Sequence, residues 1–170
     1  MLDLSRHVLG ETDTPVPLET SDDCRAAATE LVRQGHRTLL IFTHDLDRKV
    51  YDDADFIDAV SALARRHHLS WVRILVQDME PVIHGRHRLV ELAGRLTSRI
   101  EIRHAHPDHR SFNKAYLVVD DTGLLLRDTA RGYSGSVNFY APHAAREYAA
   151  LFHKAWDVGE RDPNLNRLHL

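Results

Sequence analysis

Gly135-Ser136-Val137-Asn138 is the stretch of this chain best equipped for chemistry. In an extended strand residues two apart share a face, so Ser136 and Asn138 present a hydroxyl and an amide side by side, and such a pair can receive a phosphate. Upstream, successive apolar runs each end in polar residues: His44-Asp45, Gln77-Asp78, His104 with His106, and Asp120. Open α/β sheets bind ligands beyond the carboxyl ends of their strands. The functional reading is a pocket lined by His44, Asp45, Asp78, His104 and Asp120 together with Ser136 and Asn138. The plainer reading makes them solvated loop residues and helix caps.

The chain has 13 histidines, which invite a metal reading, and His104-x-His106-x2-His109 with Asp108 is the densest cluster. Zinc sites favour Cys/His sets around a defined turn, or His pairs at helical spacing. This loop has neither, so no metal or other cofactor is assigned. His84 and His87, beside Arg86 and Arg88, lie near a helix start whose amides could join them in holding an anion; a solvated face explains them as well. Asp45 and Asp47 resemble a paired-carboxylate site, but Asp47 is more simply the start of a turn into Asp52-Asp53. Cys24 follows a helix N-cap, where a thiol pKa can fall, although burial as a small side chain is the commoner fate.

The stretch Asn113 to Asn138, NKAYLVVDDTGLLLRDTARGYSGSVN, resembles the phospholipase D superfamily, whose signature is His-x-Lys-x4-Asp followed by Gly-Ser-x-Asn on the neighbouring strand. Gly135-Ser136-Val137-Asn138 matches the second part, and Asp120 matches the Asp. Counting back from Asp120 places Asn113 where the family has its nucleophilic His, and Ala115 where it has its phosphate-holding Lys. A slip of one residue recovers Lys114 but leaves Phe112 and Val119 at the other two positions. Chemistry of the family type needs an imidazole nucleophile, a cation on the phosphate and a second imidazole as general acid. Neither Asn nor Ala can serve. The resemblance covers roughly Arg37 to Trp156 and implies a degenerate, bacterial, phospholipase D-like domain in which Asn113, Asp120, Ser136 and Asn138 converge. Enzymes of the superfamily need two signature copies around one active site, so a single copy implies a homodimer about a two-fold axis.

The elements that must position these residues follow from composition and periodicity. At 170 residues, with 43% hydrophobic and 28% charged content, the chain has the makings of one α/β domain over residues 20–170, preceded by an irregular arm over 1–19 that carries Gly10, Pro15 and Pro17. Thr20-Ser21 ahead of Asp22-Asp23 predicts a helix over 20–34 ending at Gly35. The run from Arg37 to Thr43 reads as a strand buried on both faces. Asp52 to Ala54 caps a second helix ending in Arg65-Arg66-His67-His68, cations that suit a helix C-terminus. A strand over Trp71–Val76, a third helix over Val82–Leu96 and a strand over Ile100–Arg103 follow. Then come two strands joined by the Asp120–Gly123 turn, the Gly135–Asn138 strand, and a helix begun by Pro142. The order predicts a three-layer α/β sandwich, its sheet mostly parallel or mixed, with helices on both faces.

A net charge of −3 argues against strong non-specific nucleic-acid binding without excluding a local basic patch. A single cysteine forms no intrachain disulfide, and no run approaches a membrane span or a signal-peptide core. Those features suggest a cytoplasmic protein. Three functions remain: a non-catalytic phospholipase D-like domain holding an anionic ligand or a protein partner; an active phosphodiesterase or nuclease using a recruited imidazole such as His104 or His109; and an interaction module accompanying another bacterial enzyme.

Overall fold

The apolar runs become strands. In the computed structural model, which describes residues 2–165, they are β1 (Val16–Leu18), β2 (Thr38–Thr43), β3 (Trp71–Val76), β4 (Ile100–His104), β5 (Ala115–Val119), β6 (Gly123–Arg127) and β7 (Gly135–Asn138). They form one sheet in the order β1-β7-β6-β5-β2-β3-β4. Only β2–β3 and β3–β4 run parallel; the other four pairs are antiparallel. The sheet is therefore mixed. Parallel pairing is confined to the part with helical crossovers, because the hairpin of β5 and β6 reverses direction in a tight turn.

Helices cover both faces. On one side lie α1 (Ser21–Gln34), α2 (Arg48–Tyr51), α3 (Ala54–Arg66), α4 (Glu80–Ile83) and α5 (Arg88–Arg95); their apolar residues join Leu39, Ile41, Ile74 and Leu117 in the larger core. On the other, α6 (Pro142–Asp157) sets Ala145, Ala149, Phe152 and Trp156 against Leu40, Phe42, Tyr116 and Val118. Thr20 and Asp23 close a reciprocal capping box on α1, and the Asp53 carboxylate caps α3, as their sequence signals predict.

Three expectations are corrected. The arm is not irregular throughout: Val16–Leu18 adds the edge strand β1 antiparallel to β7. The helix expected over 82–96 is broken into α4 and α5, because Gly85 lets the Arg48 guanidinium reach the Arg86 carbonyl, and a Cβ at Gly85 would strike that guanidinium. His87 then restarts the helix, its Nδ1 accepting from the Leu89 amide at 3.1 Å. The β5–β6 turn is centred on Asp120 and Asp121, both left-handed at φ 54° and 53°, while Gly123 begins β6 and makes room for Leu9 and Leu31.

Candidate functional site

Because β2 and β3 run parallel, their carboxyl ends bring His44-Asp45 beside Gln77-Asp78. The backbone seals the pairing: the Gln77 amide donates to the Thr43 carbonyl and the Asp78 amide to the His44 carbonyl. A cleft of about 500 Å³ opens here, lined by His44, Asp45, Asp47, Lys49, Asp78, Arg131 and Tyr133 among others. Between Asp45 and Asp47 the buried Leu46 has φ 58°, a left-handed backbone that costs a branched side chain energy. Two contacts hold it there, from the Leu46 amide to the Thr43 hydroxyl and from His87 Nε2 to the Leu46 carbonyl. His87, expected among anion-binding side chains, is buried and committed to the Leu46 carbonyl and the Leu89 amide. Burial also lowers its pKa.

The hydrogen bonds of His44 define its tautomer. Arg131 Nη2 stands 3.1 Å from His44 Nε2, and a guanidinium only donates, so Nε2 carries the lone pair. Nδ1 therefore bears the proton and donates to Gln77 Oε1 at 3.3 Å. Gln77 is buried with every polar atom engaged: its amide nitrogen donates to the His109 and Phe112 carbonyls, fixing the loop before β5. His104 donates from Nε2 to the Gln77 carbonyl at 3.1 Å. Gln77 thus ties two loops and the end of β4 to the end of β3, and it presents His44, not His104, to the cleft.

Beneath the cleft lies a polar cluster that sequence reasoning missed. Arg127 is 1% exposed, yet its guanidinium meets the Asp47 carboxylate at 3.4 Å, the Gly132 carbonyl at 2.7 Å and the face of Tyr133 at 4.8 Å. Tyr133 faces the Asp47 carboxylate, and burial with that neighbour raises its phenol to about 12. Tyr51 is raised to about 12 by burial, against a lowering from Arg127. Cys24 donates to the Tyr133 carbonyl at 3.2 Å and is pushed up to about 11, again by burial, so it is a structural thiol. Asp47 accordingly starts α2 as its N-cap and also neutralises Arg127. Leu124-Leu125-Leu126 before Arg127 is an unbroken apolar run with no alternation, so the sequence shows neither the face this arginine points to nor its burial.

The predicted site residues fall into two groups. His44, Asp45, Asp78, His104 and Asn113 gather at the carboxyl ends of β2 and β3; Asn113 accepts from the Ala130 amide at 3.1 Å and so braces the cleft wall. Asp120 lies at the opposite end. β5 is antiparallel to β2, so the whole of Ala115–Val119, roughly 14 Å at about 3.4 Å per residue, lies between Asn113 and Asp120. There its carboxylate accepts from the His36, Arg37 and Thr38 amides at 2.8 to 2.9 Å. Asn138 pairs with Leu124 toward that same end and donates to Asp13 at 2.9 Å. Ser136 sits between, half-buried on the face of α6, opposite Leu126. The expected convergence of Asn113, Asp120, Ser136 and Asn138 is therefore corrected: strand direction divides them. Among the described residues no three His, Cys, Asp or Glu side chains come close enough to hold a metal ion.

A family model described as "Domain of unknown function (DUF7931)" matches residues 20–168. Comparison with curated proteins finds no match. Among solved structures, Nuc from Salmonella typhimurium, a phospholipase D family member, aligns with TM-score 0.61 at 13% identity over 88% of this chain and 99% of its own. NucT from Helicobacter pylori aligns with TM-score 0.60 at 11% identity over the same shares. TrmBL2, an archaeal chromatin protein whose structure shows a novel mode of DNA binding, aligns with TM-score 0.63 at 13% identity over 87% of this chain; the chain spans 54% of its length. These likenesses establish a phospholipase D-like fold. Among the described residues no helix is long and apolar enough to cross a membrane.

Proposed function

We propose that this chain, which belongs to the DUF7931 family, binds a small phosphate-bearing ligand in the cleft at the carboxyl ends of β2 and β3 and does not turn it over. The observation that carries this reading is Arg131. It is exposed, has no carboxylate partner among the described residues, and is steered over the cleft by a histidine that Gln77 holds in one tautomer. One of its donors meets His44, and the others are free for a bidentate anion. Lys49, also without an ion-pair partner among the described residues, lines the same cleft. Asp45 and Asp78 would accept from hydroxyl or amino groups on the ligand and exclude a bare polyanion. Nuc, named as a phospholipase D family member, makes a phosphoester-bearing ligand the natural class to try first. Loss of turnover follows from Asn113 and the fully buried Ala115, which stand at the signature positions and offer neither nucleophile nor cation.

The test is calorimetric titration with inorganic phosphate and with a nucleoside monophosphate, beside an assay on a chromogenic phosphodiester. The reading expects saturable binding of at least one probe, a tenfold or greater loss in Arg131→Ala, and no turnover. Binding unaffected by Arg131→Ala would remove it.

One observation favours a second reading. His44 Nε2 keeps its lone pair at the cleft, where it accepts from Arg131; with Arg131 drawn onto a phosphate, this is the form in which an imidazole attacks phosphorus or accepts a proton. Turnover abolished in His44→Ala would make the chain a phosphodiesterase with a recruited histidine. In either reading two chains pair about a two-fold axis, as the single motif copy implies. Light scattering at tens of micromolar should give twice the 19.5 kDa chain mass, and a monomer mass would refute the pairing.

A further inference from the structure

At the end of the sheet remote from the cleft, the C-termini of α1 and α3 meet the starts of β2 and β3, and arginines collect there. Arg66 donates to the Arg33 and Gly35 carbonyls, and Arg99 to those of His67, His68 and Ser70. Arg37 and Arg65 are exposed beside them. Desolvation first, and then the charges of Arg37, His68 and Arg99, hold the pKa of His67 below its usual value. Two helix ends contribute about half a negative charge each. The carboxylates in direct contact are Glu30, on Arg33, and Asp120, on the strand amides. Set against five guanidiniums, these leave about two positive charges uncompensated on a protein of net charge −3. Helix dipoles alone do not account for the patch.

The patch continues along β3 to the C-terminal half of α6, where the Trp71 ring lies 6.2 Å from that of His153. Trp71 begins β3, half-exposed; two residues on, the Arg73 guanidinium lies 4.5 Å from its ring centroid and 5.4 Å from that of Trp156. Arg73, like Arg37, Arg65, Arg66 and Arg99, has no ion-pair partner among the described residues. The imidazoles of His67 and His68 lie together, centroids 4.3 Å apart. Cations in succession with aromatic rings among them meet the two requirements of a nucleic-acid strand, a track for phosphates and platforms for unpaired bases. A membrane surface would instead ask for several apolar side chains to insert, and besides the half-exposed Trp71 this patch exposes only Leu69 among the described residues.

We infer that the surface running from Arg37 and Arg99 across Trp71 to Arg73 binds single-stranded nucleic acid, independently of the cleft. The probe is a fluorescein-labelled 20-nucleotide oligothymidylate, followed by anisotropy from 50 to 200 mM NaCl. Binding should weaken steeply with salt, and Arg37→Glu with Arg73→Glu should weaken it at least tenfold at 50 mM and flatten the log–log salt slope by about 0.7 per lost contact. Neither side chain contacts a backbone carbonyl, and circular dichroism should show the double variant folded. In a Trp156→Phe background, the oligonucleotide should quench the remaining Trp71. No binding at 50 mM salt, equal binding by the folded double variant, or binding only to vesicles of anionic lipid would overturn the inference. An equal loss in Arg131→Ala would also overturn it, by moving the oligonucleotide to the cleft, whose own reading would survive.

Discussion

Arg127 is the residue whose loss should be felt most. A guanidinium at 1% exposure has surrendered its hydration, and Asp47, with 15% of its side chain exposed, stands as its counter-charge. Truncating one partner of a buried pair strands the other. Arg127→Met should destabilise the protein by about 3 kcal/mol in urea titration. Adding Asp47→Asn, which still caps α2, should recover part of that loss because no orphaned carboxylate remains. Strictly additive losses would mean that the two side chains do not act as a pair. Little of this was legible beforehand. The motif that drew attention, Gly135-Ser136-Val137-Asn138, sits where expected on a strand, but its glycine answers to packing: a Cβ there would lie 2.0 Å from the Leu126 carbonyl oxygen. The residues that shape the cleft floor lie instead in Asp47, Arg127 and Tyr133, which no spacing rule links.

Among the elements, those marked by a cap, an apolar run or a motif were readable, and α2 and β1 were not. α1, α3 and α6 announce themselves by caps and by apolar stripes over several turns. α2 and β1 span four and three residues, too few for any period to show, and β1 is a strand only because Val16 to Leu18 find β7 beside them. Asp120 shows the same dependence on partners. Its position at the end of an apolar run suggested a ligand-facing carboxylate; the antiparallel course of β5 makes it the clasp for three amides at the start of β2. Hydrogen bonds to a charged group contribute about 1.5–3 kcal/mol. Asp120→Ala should therefore lower stability by about 3 kcal/mol, the left-handed φ adding to the loss. Asp120→Asn, which tolerates that φ, should cost about 1 kcal/mol. An Asp120→Asn variant as stable as the wild type in chemical denaturation would show that the carboxylate charge is immaterial.

At the scale of the molecule, layer order was legible because helices alternating with buried strands admit few arrangements. Which polar residues share an end of the sheet was not, since that depends on strand direction, and the β5–β6 hairpin can join β2 with either sense. The same topology determines what becomes of the sheet's two margins. At one, β1 carries Pro17, which has no amide hydrogen to offer a further strand. At the other, His104 and Glu160 exchange both backbone hydrogen bonds, so the chain's own C-terminal segment occupies the far end of β4. Neither margin is an open template for strand-by-strand growth. The protein should accordingly resist fibrillar polymerisation when concentrated, and any partner, including a second copy, must dock by side chains on a face or at an end of the sheet.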